Sequence, residues 1–268
     1  MEISYKYLKH ITAAVICILF LLMMPESGMA KTEVFCPGEK MTFVVRWSFI
    51  TAARVTIETL PIENTDGVPV YHFLYTARTS RFVDVFYKVR DRIESFTDID
   101  MTHSLLYKKN HNGKSVNEVT TEFDWDKKEA KYVNMGNAED PIRIEDNTFD
   151  PLSVFYAFRI GQPDKNNEIQ VMVTDGKKVI HAAGKILKKQ KIKVAGKSYN
   201  TLLVQPEIEG VSGVFKKTSD SKLRIWVTDD IKRIPVRIKS KVTVGSFIAD
   251  LVSYTPGNDD VAASEHEE

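Results

Sequence analysis

The chain has 268 residues, of which 37 are Lys or Arg, 36 are Asp or Glu, and 43% are hydrophobic. A formal net charge of +1 is too small to support nucleic-acid binding by charge alone. The two cysteines, one of them in an amino-terminal apolar run, exclude a disulfide framework and a cysteine-based zinc cluster.

Lys6, Lys9 and His10 precede an apolar run from Ile11 to Met24, followed by Pro25 and a small-residue ending, Gly28-Met29-Ala30. This is the pattern of a secretory signal peptide over residues 1–30, cleaved after Ala30. The alternative, a membrane anchor, is disfavoured because the run is short for a bilayer span. Ile16 before Cys17 excludes a lipoprotein signal. The expected location is therefore the periplasm, with no stable transmembrane segment after cleavage. The whole chain carries +1, the first thirty residues are neutral and the tail is −5, which leaves residues 31–256 with about +6. Residues 257–268 form an acidic tail whose composition predicts disorder.

Between these ends, period-two alternation dominates. Strands are expected over Met41–Ile50, Ala53–Leu60 and Val70–Thr79, then a short helical turn at residues 80–86. Tyr87–Asp100 resumes as a strand. Ser104–Asn110 pairs with Ser115–Trp125 across HNGK, where Asn112-Gly113 predicts a type I′ turn with positive φ at both residues. Shorter strands follow at Lys131–Asn134 and Ile142–Glu145. DPLSVFYAFRIG then predicts one short helix, with Asp150 as N-cap, Pro151 at the first position and Gly161 in a left-handed C-cap. It is apolar nearly all round, so it should be buried. Strands resume at Glu168–Thr174, Lys178–Lys193, Ser198–Pro206, Leu223–Thr228, Ile234–Val244 and Ser246–Tyr254. Ten to twelve strands without βαβ alternation predict an all-β fold with one short central helix. The expected architecture is one domain over residues 31–256, a large curved antiparallel sheet forming an open or half barrel, with a β-sandwich as the alternative. The helix would cover the concave face.

No local motif predicts catalysis. GVSGV at Gly210–Val214 misses the nucleophile-elbow spacing by one position, and the histidines lack zinc-ligand spacing. No metal or cofactor is expected. Cys36 reads as a packing residue more readily than as a reactive thiol. Arg90, Arg92 and Glu94 share one strand face with Asp91 opposite, suited either to gripping an anionic head group or to cross-strand ion pairing. Lys189, Lys191 and Lys193 point one way from their strand, where they would protect an edge or attract anionic lipid. Trp47, Phe155, Phe158 and Trp226 are candidate apolar ligand contacts, and Arg90 and Arg92 candidate polar ones.

Several stretches resemble a bacterial envelope family, the domain of unknown function 3108: FCPGEKMTFVVRWSFITAARVTIE, FYKVRDRIESFTD, EFDW, DPLSVFYAFR and RIWVTDDIKRIPVRIKSKVTVGSFIADL. The resemblance covers most of residues 35–254. Its most specific part places Trp226, Asp229, Arg233, Pro235 and Gly245 at the family's spacing. It implies one periplasmic β-rich domain and no assigned activity. The strand–helix order is also similar, at fold level only, to half-barrels that carry lipoproteins and lipids across the periplasm.

The expected function is noncatalytic binding or carriage of an apolar or amphiphilic envelope molecule, such as a lipid. Two alternatives are an assembly factor that binds an envelope protein through sheet edges, and a hydrolase using carboxylates from Asp91, Asp98, Asp100, Asp150 and Asp229.

Overall fold

The structure, a computed structural model, describes residues 34–65, 67–208, 223–241 and 245–258. The expected signal peptide, the acidic tail beyond Asn258 and the Gly210–Val214 segment lie outside the described residues. Seventeen strands occur among the described residues. The first half runs β1 (Lys40–Trp47), β2 (Ile50–Thr59), β3 (Glu63–Thr65), β4 (Val68–Thr79), a single-turn helix α1 (Arg81–Asp84), β5 (Val89–Asp98), β6 (Ser104–Gly113), β7 (Val116–Asp124) and β8 (Glu129–Asn134). Three two-residue strands follow, β9 (Asn137–Ala138), β10 (Ile142–Arg143) and β11 (Thr148–Phe149), and then the helix α2 (Ser153–Ile160). The second half is β12 (Glu168–Thr174), β13 (Val179–Val194), β14 (Lys197–Ile208), β15 (Leu223–Thr228), β16 (Pro235–Lys241) and β17 (Ser246–Thr255).

Antiparallel pairing runs without a break from β8 through β7, β6, β5 and β4 to β2 and β1. It continues from β1 to β17, β16, β15, β14, β13 and β12. β1 therefore sits between β2 and the last strand, β17. The result is one curled sheet, and the sandwich alternative does not occur. Its edges β8 and β12 do not pair with each other. Residues 142–149 border both instead: β10 lies antiparallel to β8, and β11 parallel to β12. The β12–β13 turn also rests on the opposite edge, where Thr121 Oγ1 donates to the Asp175 carbonyl at 2.6 Å and Lys177 lies 4.2 Å from the Tyr132 ring. This is an open barrel whose edges are tied by loops.

Alternation assigns the inner face. Met41 and Phe43 of β1, Ile57 and Thr59 of β2, Tyr71 and Phe73 of β4, and Ser95 and Thr97 of β5 are buried. Helix α2 fills this concavity through Tyr156. Its fully buried ring stacks on Phe73 at 3.8 Å and meets Phe35 edge-on at 4.8 Å. Thr59 Oγ1 donates to the Tyr156 hydroxyl at 3.2 Å. A helix with no polar face finds apolar or satisfied partners on most sides only inside such a curl.

Two turn expectations are corrected. Asn112 and Gly113 do not have positive φ. Both lie in β6, and the reversal falls at Lys114 and Ser115. Gly113 is needed for proximity instead, because a Cβ there would sit 2.3 Å from the Lys88 carbonyl oxygen. Gly161 is likewise not left-handed, at φ −57° and ψ 142°. A Cβ there would come within 2.6 Å of Ile169 Cγ2, so the glycine lets the helix end pack against β12. At the other end the helix begins at Ser153, with Leu152 in the cap position in place of the expected Asp150 and with Pro151 ahead of the first turn. Asp150 Oδ1 still accepts the Leu152 and Ser153 amides at 2.7 and 3.0 Å.

Candidate functional site: the cleft beside helix α2

Two buried polar knots fix α2 at its ends. At the start, Asp150 Oδ2 accepts three serine hydroxyls, from Ser95 at 2.5 Å, Ser104 at 2.6 Å and Ser153 at 2.7 Å. Ser104 also accepts the Asp150 amide at 2.8 Å, while the Trp125 indole donates to the Ser104 carbonyl at 2.8 Å. A buried carboxylate is tolerable because its lone pairs are filled. Burial, and then the negative Asp150, hold the nearby Tyr107 hydroxyl above its ordinary pKa.

At the helix end, Arg159 and Glu39 form a two-pronged ion pair at 2.6 and 2.9 Å, with side chains only 2% and 1% exposed. The guanidinium also donates to the Lys232 and Val34 carbonyls, both at 3.0 Å. Tyr254 donates to Glu39 at 3.1 Å. Phe35, Tyr156 and Phe155 surround the cation with ring centroids 5.6–5.9 Å away. Arg233 caps the C-terminus by donating to the Arg159 and Gly161 carbonyls. The helix is thus tied to β1, β17 and the β15–β16 turn, and cannot shift without breaking a buried ion pair.

The helix held in this way forms one wall of a cleft of about 990 Å³. Ala157 and Ile160 line it from α2, Phe149 from β11, Ile169 and Val171 from β12, and Ala182 from β13. Asp146, Asn147, Gln162, Glu168, Gln170 and His181 supply a polar border. Both of these carboxylates have basic partners: Asp146 meets Lys128 at 3.0 Å and Glu168 meets Lys185 at 2.9 Å.

The six candidates from the sequence do not come together. Phe155 is half-buried against the core and edge-on to Tyr156, and Phe158 packs over Gly184. Neither lines the cleft, although their helix does. Trp226 is buried in the core, and its indole N–H has no hydrogen-bond partner among the described residues. Trp47 lies at the opposite strand end of β1, stacked on Phe247 at 6.3 Å. Arg90 and Arg92 line a different groove, over β2, β4 and β5. There Arg90 pairs with Asp84 at 2.5 Å, and Arg92 with Glu94 at 2.8 Å.

Four of the five aspartates of the hydrolase alternative are engaged locally, and the five do not converge. Asp91 bonds His111, and Asp98 caps the turn at Thr102 and His103. Asp229 pairs with Lys189 at 3.0 Å, Asp150 is buried as described, and Asp100 is exposed. No group of three His, Cys, Asp or Glu residues able to hold a metal occurs among the described residues. Reasoning along the sequence did not find Glu39, because its partner is 120 residues away, or the walls Ile169 and Val171, whose alternation signals only a strand.

At low sequence identity, the fold resembles a solved β-barrel-like structure. A β-barrel-like protein of domain of unknown function DUF1849 from Brucella abortus is 12% identical, with a TM-score of 0.53, and the match covers 84% of this chain and all of that one. A protein with a YmcC-like fold from Bacteroides fragilis is 7% identical with a TM-score of 0.37, over 82% of this chain and 98% of that one. No curated protein matches. The family described as protein of unknown function DUF3108 matches residues 42–252, from the first inward strand to the last. With that span, which takes in α2, both edge strands and all but the ends of the sheet, the chain belongs to the DUF3108 family.

Proposed function

We propose that this chain is an exported, noncatalytic protein that holds an amphiphile in the cleft beside α2. The observation that carries the reading is the cleft: about 990 Å³ with an apolar wall on three strands and a helix, and a polar border. Such a volume accommodates a lipid-sized ligand. An alkyl tail would lie along Ile160, Ile169 and Val171, removing apolar surface from water at about 25 cal/mol per Å². A head group would meet the border of amides and lysine-paired carboxylates together with Glu207, which has no ion-pair partner among the described residues and suits a neutral or cationic group better than an anionic one. The anchoring of α2 at both ends makes the wall rigid, so little ordering cost is met on binding. The amino-terminal pattern of residues 1–30 supports export to the periplasm, where such a ligand occurs.

The test is titration with dansyl-labelled alkyl probes of one chain length, bearing either an amine or a carboxylate head. The wild type is expected to bind both through the tail and the amine more tightly. Val171→Trp, a half-buried position on the cleft wall, should abolish binding while leaving the urea midpoint near that of the wild type. Equal probe binding by the wild type and Val171→Trp would reject the cleft as the site.

A further inference from the structure

A second surface, outside the cleft, has a composition that folding does not explain. On the outer face, the register sets Arg54 of β2 directly opposite Arg78 of β4, and Arg78 directly opposite Arg90 of β5. Arg92 lies one outward position further along β5. Together with Arg81 of α1 they line a groove of about 760 Å³. Like charges directly opposite across strands are destabilising by themselves. Asp84 neutralises Arg90 and Glu94 neutralises Arg92. The Arg54, Arg78 and Arg81 side chains make no hydrogen bond or ion pair among the described residues, although Arg78 lies near enough to Asp84 to help lower its pKa.

The same strand ends carry aromatic side chains in water. Phe82 and Phe86 are 61% and 73% exposed and pack edge-on against each other at 5.8 Å. Val85 and Tyr87 beside them are also exposed, as is Phe49, at 92%, in the β1–β2 turn. These turns share one rim: the Ser80 amide donates to the Ala52 carbonyl at 2.8 Å, and Trp47 is opposite both Ile50 and Phe247. The β6–β7 turn joins them, with Gly113 against Lys88 and opposite Val89, and adds exposed Lys114 and Val116. The aromatic segment is presented firmly, because Arg90 grips Asp84 of α1 and Ser80 Oγ caps Val83.

We infer that this rim docks on an anionic bilayer surface. Phe82, Val85, Phe86 and Phe49 would enter the interface, where aromatic residues partition, while Arg54, Arg78, Arg81, Lys88 and Lys114 meet lipid phosphates. The charge on the rim selects the partner: an apolar protein surface would leave the row of arginines uncompensated, and an anionic membrane neutralises it. This surface is separate from the cleft and stands whether or not the cleft holds a ligand.

The test is co-sedimentation of the chain from Lys31 onward, which omits the apolar run that would itself partition. The vesicles are phosphatidylcholine alone, or phosphatidylcholine with phosphatidylglycerol. Sedimentation is expected with the anionic vesicles only, and should decline as salt shortens the Debye length. Arg54→Gln and Arg78→Gln should each lower the partition coefficient by about five-fold. Phe82→Ser with Phe86→Ser should abolish it, and Val171→Trp should leave it unchanged. In Phe86→Trp, emission should move to the blue on docking and be quenched by brominated lipid. Wild-type protein remaining in the supernatant with anionic vesicles would overturn the inference. So would undiminished sedimentation of the double serine variant, or self-association abolished by that variant in place of vesicle binding.

Discussion

Arg159 and Arg78 stand on opposite faces of one sheet, each beside aromatic residues, and the surroundings give them opposite roles. Arg159 is sealed inside with Glu39, two carbonyls and three rings, and each of its three guanidinium nitrogens donates to a protein acceptor. Arg78 is exposed between two other arginines, four residues before the exposed Phe82. The first arrangement specifies where α2 lies and so shapes the cleft. The second adds nothing evident to the fold and leaves charge and apolar surface for a partner. Residue type is the same in both. Burial and pairing decide whether it serves structure or contact.

The comparison breaks most visibly at the inner knot. Glu39→Ala should destabilise the protein by about 3–5 kcal/mol in urea unfolding, because it leaves a buried guanidinium without its counter-charge. Glu39→Met combined with Arg159→Leu should recover much of that loss, since removing both charges removes both desolvation costs. An intact protein after Glu39→Ala alone would show that the pair does not hold the helix. A smaller loss, about 1–3 kcal/mol, is expected for Asp150→Asn, whose amide nitrogen cannot accept the serine hydroxyls. On the outer rim, Phe86→Ser should change stability by no more than about 0.5 kcal/mol in the same assay.

The smallest effect is electrostatic and confined to one carboxylate. Hydrogen bonds from Arg90 and then Thr79 lower the Asp84 pKa to about 2. A depressed folded-state pKa stabilises the fold at every pH above the ordinary carboxylate range, and this contribution is lost as pH falls toward 2. The carboxyl resonance of Asp84 should therefore titrate near 2 in the wild type and move upward in Arg90→Gln. An unshifted midpoint in the variant would separate α1 from β5 and remove the anchor of the aromatic rim.

Much of the sheet was readable in the sequence because alternation is a local property. Glu168–Thr174 and Leu223–Thr228 match β12 and β15 at both ends, and the turn at residues 80–86 contains α1. Lys189, Lys191 and Lys193 are exposed on one face of β13, as the period requires, with β14 beside them and β12 ending short of them. β3, β9 and β11 escaped because two or three residues show no period. The glycines were legible as special and misread in kind: Gly113 and Gly161 serve close approach, which depends on a neighbour from another strand.

The site was less legible. Aromatic character pointed to Phe155 and Phe158, yet the ring that fills the concavity is Tyr156 between them, and the cleft walls on α2 are Ala157 and Ile160. A helical wheel does not say which side meets the sheet when all sides are apolar. Arg90 and Arg92 drew notice as a local alternation of charge. Their neighbours Arg54 and Arg78 did not, since the row exists only in the cross-strand register. Glu39, in a turn-like PGEK stretch, gives no local sign that it is the buried partner of an arginine in the helix.

The central claim is that the cleft beside α2 holds an amphiphile, and native mass spectrometry of the protein purified from the bacterial envelope tests it most directly. The account predicts that wild-type protein carries an adduct of lipid mass, and that Val171→Trp, prepared in parallel, is bare. Bare wild-type protein, or the same adduct on both proteins, would contradict it.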